Sequence, residues 1–137
     1  LELAVQSPHR VRAVIAVSGN VHPRGMRALP YLFIRLQYRL WSFLEKLGIP
    51  VGSRTQRYGL MGWSPRLSEE ELSRIDSPVL LLAGTKDLIR TGHTQQMAAW
   101  IPGASLVLFK GAHHRSLFKK TDSYIRQIRG FLKEYDL

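Results

Sequence analysis

The sequence has no cysteine, which excludes disulfide frameworks and thiolate zinc sites. It has no long apolar run either. The most apolar stretch, residues 31–44, is interrupted by Arg35, Gln37 and Arg39 and falls short of the ~20 apolar residues that span a bilayer. No group of His, Asp and Glu has metal-ligand spacing, so neither a metal nor a cofactor is expected. Internal repeats and low-complexity tracts are lacking. Acidic residues are scarce, with 10 Asp plus Glu against 20 Lys plus Arg and a net charge of +10. An initiating Met is missing as well. The chain opens on Leu1, and LELAVQSPHR reads as mid-helix, which predicts part of a longer protein and would leave any targeting signal out of view.

The 137 residues, 45% of them hydrophobic, suffice for one domain with a sizeable core. Charge is unevenly placed: residues 21–58 carry seven basic side chains and one acidic, and residues 109–137 carry seven and three. A basic excess raises nucleic acid or an anionic membrane as partners.

The apolar pattern predicts an alternation of strands and helices. Residues 1–6 read as the last turns of a helix, stopped by Ser7-Pro8. Residues 11–17 (VRAVIAV) read as a strand buried on both faces, ended by Ser18-Gly19-Asn20. A long helix is predicted over 29–47, with Arg35, Arg39, Ser42 and Lys46 on one stripe and a broad apolar surface elsewhere, closed by Gly48 and Pro50. A Gly- and Arg-rich connection follows. Ser68 and Glu71 then form a capping box for a short helix to Ile75. Strands over 78–83 and 106–109 alternate with helices over 94–101 and 121–134. This order predicts an α/β fold: a parallel sheet flanked by helices, with residues 21–63 inserted between its parts.

In such sheets ligands collect at the carboxyl ends of the strands. Asp87 follows one strand, and His113 and His114 follow the next. A carboxylate and an imidazole brought to one sheet edge can form the acid–base part of a hydrolytic triad.

Three segments in fixed order resemble the α/β-hydrolase superfamily: LELAVQSPHRVRAVIAVSG, SRIDSPVLLLAGTKDLI and IPGASLVLFKGAHHRSLFKKTDSYIRQIRGFL. They are similar to the helix and strand after the nucleophile turn, the strand of the triad acid, and the last strand with its His loop and closing helix. The resemblance divides the chain into a core (1–20 and 64–137) and a helical lid (21–63). It implies Asp87 as the acid and His114 as the base, with His113 as the alternative. His93 is expected to be structural, and His22 is expected to be a loop residue near the lid. The family's nucleophile lies in a Gly-x-Ser-x-Gly turn. This motif is absent, and the resemblance begins just after it, so the nucleophile is expected upstream of Leu1 and the chain by itself should be inactive.

The resemblance thus implies a hydrolase acting on a small acyl compound, an ester, lactone or amide, without cofactor. The lack of cysteine fits a cytoplasmic enzyme. One alternative is a basic amphipathic module that uses Arg24, Arg27, Arg35, Arg39, Arg54 and Arg57 against an anionic membrane or nucleic acid. Another is a noncatalytic hydrolase-like protein. No nucleic-acid partner is expected under the hydrolase reading, since the excess charge sits largely on the lid and the last helix. An exposed sheet edge beside Val11 would make the isolated chain marginal or aggregation-prone.

Overall fold

The structure, a computed structural model, describes residues 1–137 apart from the side chain of Leu117. In chain order the main elements are α1 (Glu2–Gln6), β1 (Val14–Val17), α2 (Ala28–Lys46), α3 (Arg54–Trp63), α4 (Glu69–Ser73), β2 (Val79–Gly84), α5 (Thr91–Trp100), β3 (Ser105–Phe109) and α6 (Thr121–Glu134). The three strands form one parallel sheet in the order β1-β2-β3, with Val14 opposite Val79 and Leu80 opposite Ser105.

β2 is buried along its whole length, which explains its unbroken apolar run. Successive side chains leave a strand on opposite faces. Val79 and Leu81 pack on one face with Ala4 of α1, Leu72 of α4 and Met97 of α5. Leu80 and Leu82 pack on the other with Tyr124 and Phe131 of α6, where Phe109 stacks on Tyr124 at 4.1 Å between ring centroids. Helices therefore cover both faces of a parallel sheet, as the sequence pattern indicated.

β1 differs from its prediction in two ways. It begins at Val14 instead of residue 11, because pairing to β2 starts there. Its residues are half-buried, because β1 has a strand neighbour on one side only among the described residues. The capping box forms as read: the Ser68 hydroxyl accepts from the Glu71 N–H, and the Glu71 carboxylate accepts from the Ser68 N–H. α5 starts at Thr91, three residues ahead of the predicted start at 94.

Residues 21–63 hold a helix that the sequence pattern did not reveal. α3 occupies the stretch read as a connection, because Gly59 and Gly62 lower local helix propensity. Both glycines face α2. A Cβ at Gly59 would stand 3.3 Å from the Tyr38 ring, and one at Gly62 3.5 Å from Ile34. Aromatic and cationic side chains complete this pairing, with Tyr38 against Trp63, Arg35 over Trp63 at 4.7 Å and Arg54 over Trp41 at 4.9 Å. Of the broad apolar surface of α2, only Ile34 is buried, while Leu32, Leu36, Leu40 and Phe43 are exposed, as is Leu47 just after the helix. No helix is long and apolar enough to cross a membrane among the described residues.

Candidate active site

The carboxyl ends of β1, β2 and β3 bring Ser18, Asp87 and His114 together. β2 ends at Gly84, where the chain must pass close under the loop after β3. A Cβ at Gly84 would lie 2.1 Å from the Ala112 carbonyl oxygen, so only glycine fits. Main-chain bonds then join the two loops: the Thr85 N–H donates to Phe109 O at 3.1 Å, and the Lys86 N–H to Ala112 O at 2.9 Å. The Gly111 N–H donates to the Thr85 hydroxyl at 2.8 Å, with Gly111 at φ 72°. This lacing fixes the acid turn against the histidine loop.

Asp87 is 1% exposed. Its Oδ1 lies 2.7 Å from His114 Nδ1 and accepts the Ile89 N–H at 3.2 Å. Its Oδ2 accepts the Ser18 hydroxyl at 2.5 Å. Burial by itself pushes the carboxyl up. Hydrogen bonds from His114, Ser18 and Ile89, with the charge of a protonated His114, outweigh it and hold Asp87 at about 2. The same bond to Asp87 raises His114 against the opposing effect of burial, and the carboxylate charge adds to it. The ionised carboxylate accepts a hydrogen bond from Nδ1–H, which leaves Nε2 as the free, basic nitrogen of the neutral ring. The His114 side chain is 44% exposed.

Of the two adjacent histidines, His114 meets Asp87. The His113 N–H instead donates to the Ser116 hydroxyl at 2.7 Å, and Ser116 N–H returns to the His113 carbonyl at 2.9 Å, closing the loop. His93 is buried in the first turn of α5 against Gly25, with Nε2 lacking a hydrogen-bond partner among the described residues. Desolvation, then Arg90 and His22, lower its pKa. His22 caps a short turn: its Nδ1 accepts the Arg24 N–H at 3.0 Å. Among the described residues, neither histidine hydrogen-bonds to Asp87 or His114. No group of three or more His, Asp or Glu able to hold a metal occurs among the described residues.

Two residues at the site were not legible as members of it. The sequence pattern marks Ser18 only as part of the Ser18-Gly19-Asn20 stop after a strand. Its place directly after β1 was the available signal, because strands β1 and β2 are neighbours. Arg27 directly precedes α2. Its Nε donates to the Asp87 carbonyl at 2.7 Å and Nη2 to Thr85 O at 3.2 Å. The Arg27 N–H also donates to Leu88 O at 2.8 Å, and the Arg90 N–H to Gly25 O at 2.9 Å. The segment leading into α2 is therefore strapped to the acid turn. Beyond the strap, Leu29, Phe33, Ile34, Tyr58, Met61 and Leu88 line an apolar cavity of about 560 Å³, to which Arg57 adds a cationic side chain. Leu88, the residue that follows the acid, belongs to this lining.

No family model matches the sequence. A 67-residue stretch, 49% of this chain, is 33% identical to the proline iminopeptidase of Lactobacillus crispatus (strain ST1) and spans 23% of that protein. The carboxylesterase CesB (YbfK) from Bacillus subtilis has a similar structure, with a TM-score of 0.66 and 16% identity over 94% of this chain and 54% of that one. For the enol-lactonase from Burkholderia xenovorans LB400 the TM-score is 0.67 and the identity 18%, over 96% of this chain and 60% of that one. The chain thus spans less than two thirds of each of these proteins.

Proposed function

We propose that this chain, whose fold is that of the α/β-hydrolases, bears the acid and the base of a hydrolytic triad acting on a small ester, lactone or amide. The observation that carries the reading is His114 Nδ1 at 2.7 Å from the buried Asp87 carboxylate. Asp87 holds the ring orientation and tautomer and stabilises the imidazolium that forms. His114 Nε2 accepts the proton of the attacking nucleophile and passes it to the leaving group. It then takes a proton from the water that attacks the acyl-enzyme and gives that proton back to the departing nucleophile, which frees the acid and restores the neutral ring.

The nucleophile stands outside these 137 residues in this reading, since Gly-x-Ser-x-Gly occurs nowhere in the sequence. Residues 21–63 act as the lid, and the apolar cavity between α2, α3 and Leu88 receives the acyl part of the substrate. The cysteine-free composition fits a cytoplasmic enzyme. In the intact enzyme, Asp87→Asn and His114→Gln should each lower ester turnover by roughly 10⁴ with the fold retained by circular dichroism. Near-normal turnover in either variant contradicts the assignment.

One observation favours a second role. The exposed apolar side of α2 is bordered by exposed Arg39 and Lys46, a pattern that suits peripheral contact with an anionic membrane. Binding to phosphatidylserine vesicles that weakens with salt supports this role, and equal indifference to anionic and neutral vesicles removes it.

A further inference from the structure

We propose that Ser18 is a positioning residue for the acid–base pair, holding the Asp87 carboxylate oxygen that His114 does not reach. This inference rests on the hydrolase reading of the same site. Its first support is the division of labour at the carboxylate. Oδ1 takes both His114 Nδ1 and the Ile89 N–H, whereas the Ser18 hydroxyl is the donor found at Oδ2. With Asp87 1% exposed, loss of that hydroxyl would leave a buried, charged oxygen bare. The carboxylate could then rotate about its side-chain bond, and the hydrogen bond to His114 would no longer have one direction.

The backbone at Ser18 gives the second support. Ser18 has φ 54°, a left-handed conformation that suits glycine and is uncommon for other residues. A glycine stands next to it, at Gly19, yet the left-handed position itself holds a side chain. Ser18 N–H donates to Leu82 O at 2.7 Å, carrying the β1–β2 ladder one residue beyond the Val17–Leu82 pair. The chain then bends, and Oγ comes to Asp87. A non-glycine residue kept in an unfavourable conformation where its side chain meets a functional group is the usual form of strain retained for a purpose.

The direction of the hydroxyl proton separates this role from nucleophilic attack. A triad nucleophile directs its hydroxyl proton to the imidazole, whereas Ser18 donates its hydroxyl hydrogen bond to the Asp87 carboxylate. Ser18 thus acts through Asp87.

Ser18→Gly and Ser18→Ala test this in the intact enzyme. Glycine relieves the backbone and removes the hydroxyl, so Ser18→Gly remains informative if the alanine variant folds poorly. Carboxyl carbon NMR should show Asp87 titrating higher than in the unmodified chain, its proton affinity raised on the order of tenfold. Ser18→Asn, which tolerates a left-handed φ and restores a side-chain donor, should recover part of the shift. A purely structural role would leave the Asp87 titration where it was. An unchanged Asp87 titration in Ser18→Gly, with His114 still raised, overturns the role of Ser18 alone. A His114 that titrates as a free imidazole in the unmodified chain overturns the acid–base pair and the hydrolase reading with it.

Discussion

His114 Nδ1 and Asp87 Oδ1 stand 2.7 Å apart across loops that follow two neighbouring strands, with the carboxylate buried and the imidazole partly open to solvent. The asymmetry sets their tasks. The buried acid stays ionised because three donors reach it, and the more open ring can exchange a proton with something outside the sheet edge.

The activity of the intact enzyme should follow the neutral form of His114. Because its hydrogen bond to Asp87 raises His114 above 6.5, turnover should rise with pH through a value above 6.5. In residual activity of Asp87→Asn that limb should move down. A pH–rate profile checks both, and a limb at the same pH in the two enzymes counts against the pairing.

Stability should vary with pH in two separate windows. His114 is raised on folding, so its contribution is fully present below 6.5 and is lost as pH rises through its higher folded value. Asp87 is depressed, so its contribution is present above 3.8 and is lost as pH falls toward about 2. Denaturant titrations across pH should show the second loss disappear in Asp87→Asn.

Gly84→Ala should be among the most damaging single-methyl changes in the chain. The added Cβ would meet the Ala112 carbonyl oxygen at 2.1 Å, so the acid turn and the histidine loop must part. The expected loss is about 3 kcal/mol, at the upper end of ordinary overpacking. An urea midpoint unchanged from the natural sequence would show that the loops do not pass as described.

Arg27→Met keeps the aliphatic stem but removes the hydrogen bonds to Asp87 O and Thr85 O. Global stability should fall by about 1 kcal/mol. The local effect should be larger: the Arg90 N–H, bonded to Gly25 O, should exchange with solvent faster as the strap loosens. Unaltered exchange there would mean that the main-chain bonds hold the strap without the guanidinium.

Ser68→Ala should destabilise the chain by about 1 kcal/mol, since it removes the acceptor for Glu71 N–H at the start of α4. Thermal melting of the variant reads this directly, and no change in midpoint would show that α4 forms independently of its cap.

The parts of the fold legible in the sequence were those where one local rule decides. The run of residues 78–83 could only be a strand buried on both faces, and Ser68 with Glu71 could only start a helix. β1 was overextended because apolar character continues to Val11 while pairing begins at Val14. α3 escaped because Gly59 and Gly62 speak against a helix locally, and the reason for them is the approach of α2, which no local pattern contains. The site divides in the same way. Asp87 and His114 were marked by their places after strands and by the family pattern. Ser18 and Arg27 reach the acid across 69 and 60 positions of sequence, and only the sheet order and the folded insertion bring them there.

The account depends most on the pairing of His114 with an ionised Asp87, and nitrogen NMR of the His114 ring against pH tests it directly. The expected result is a proton on Nδ1 in the neutral ring and a pKa above 6.5 that falls in Asp87→Asn. An Nε2-protonated ring, or the same titration in both chains, would contradict it.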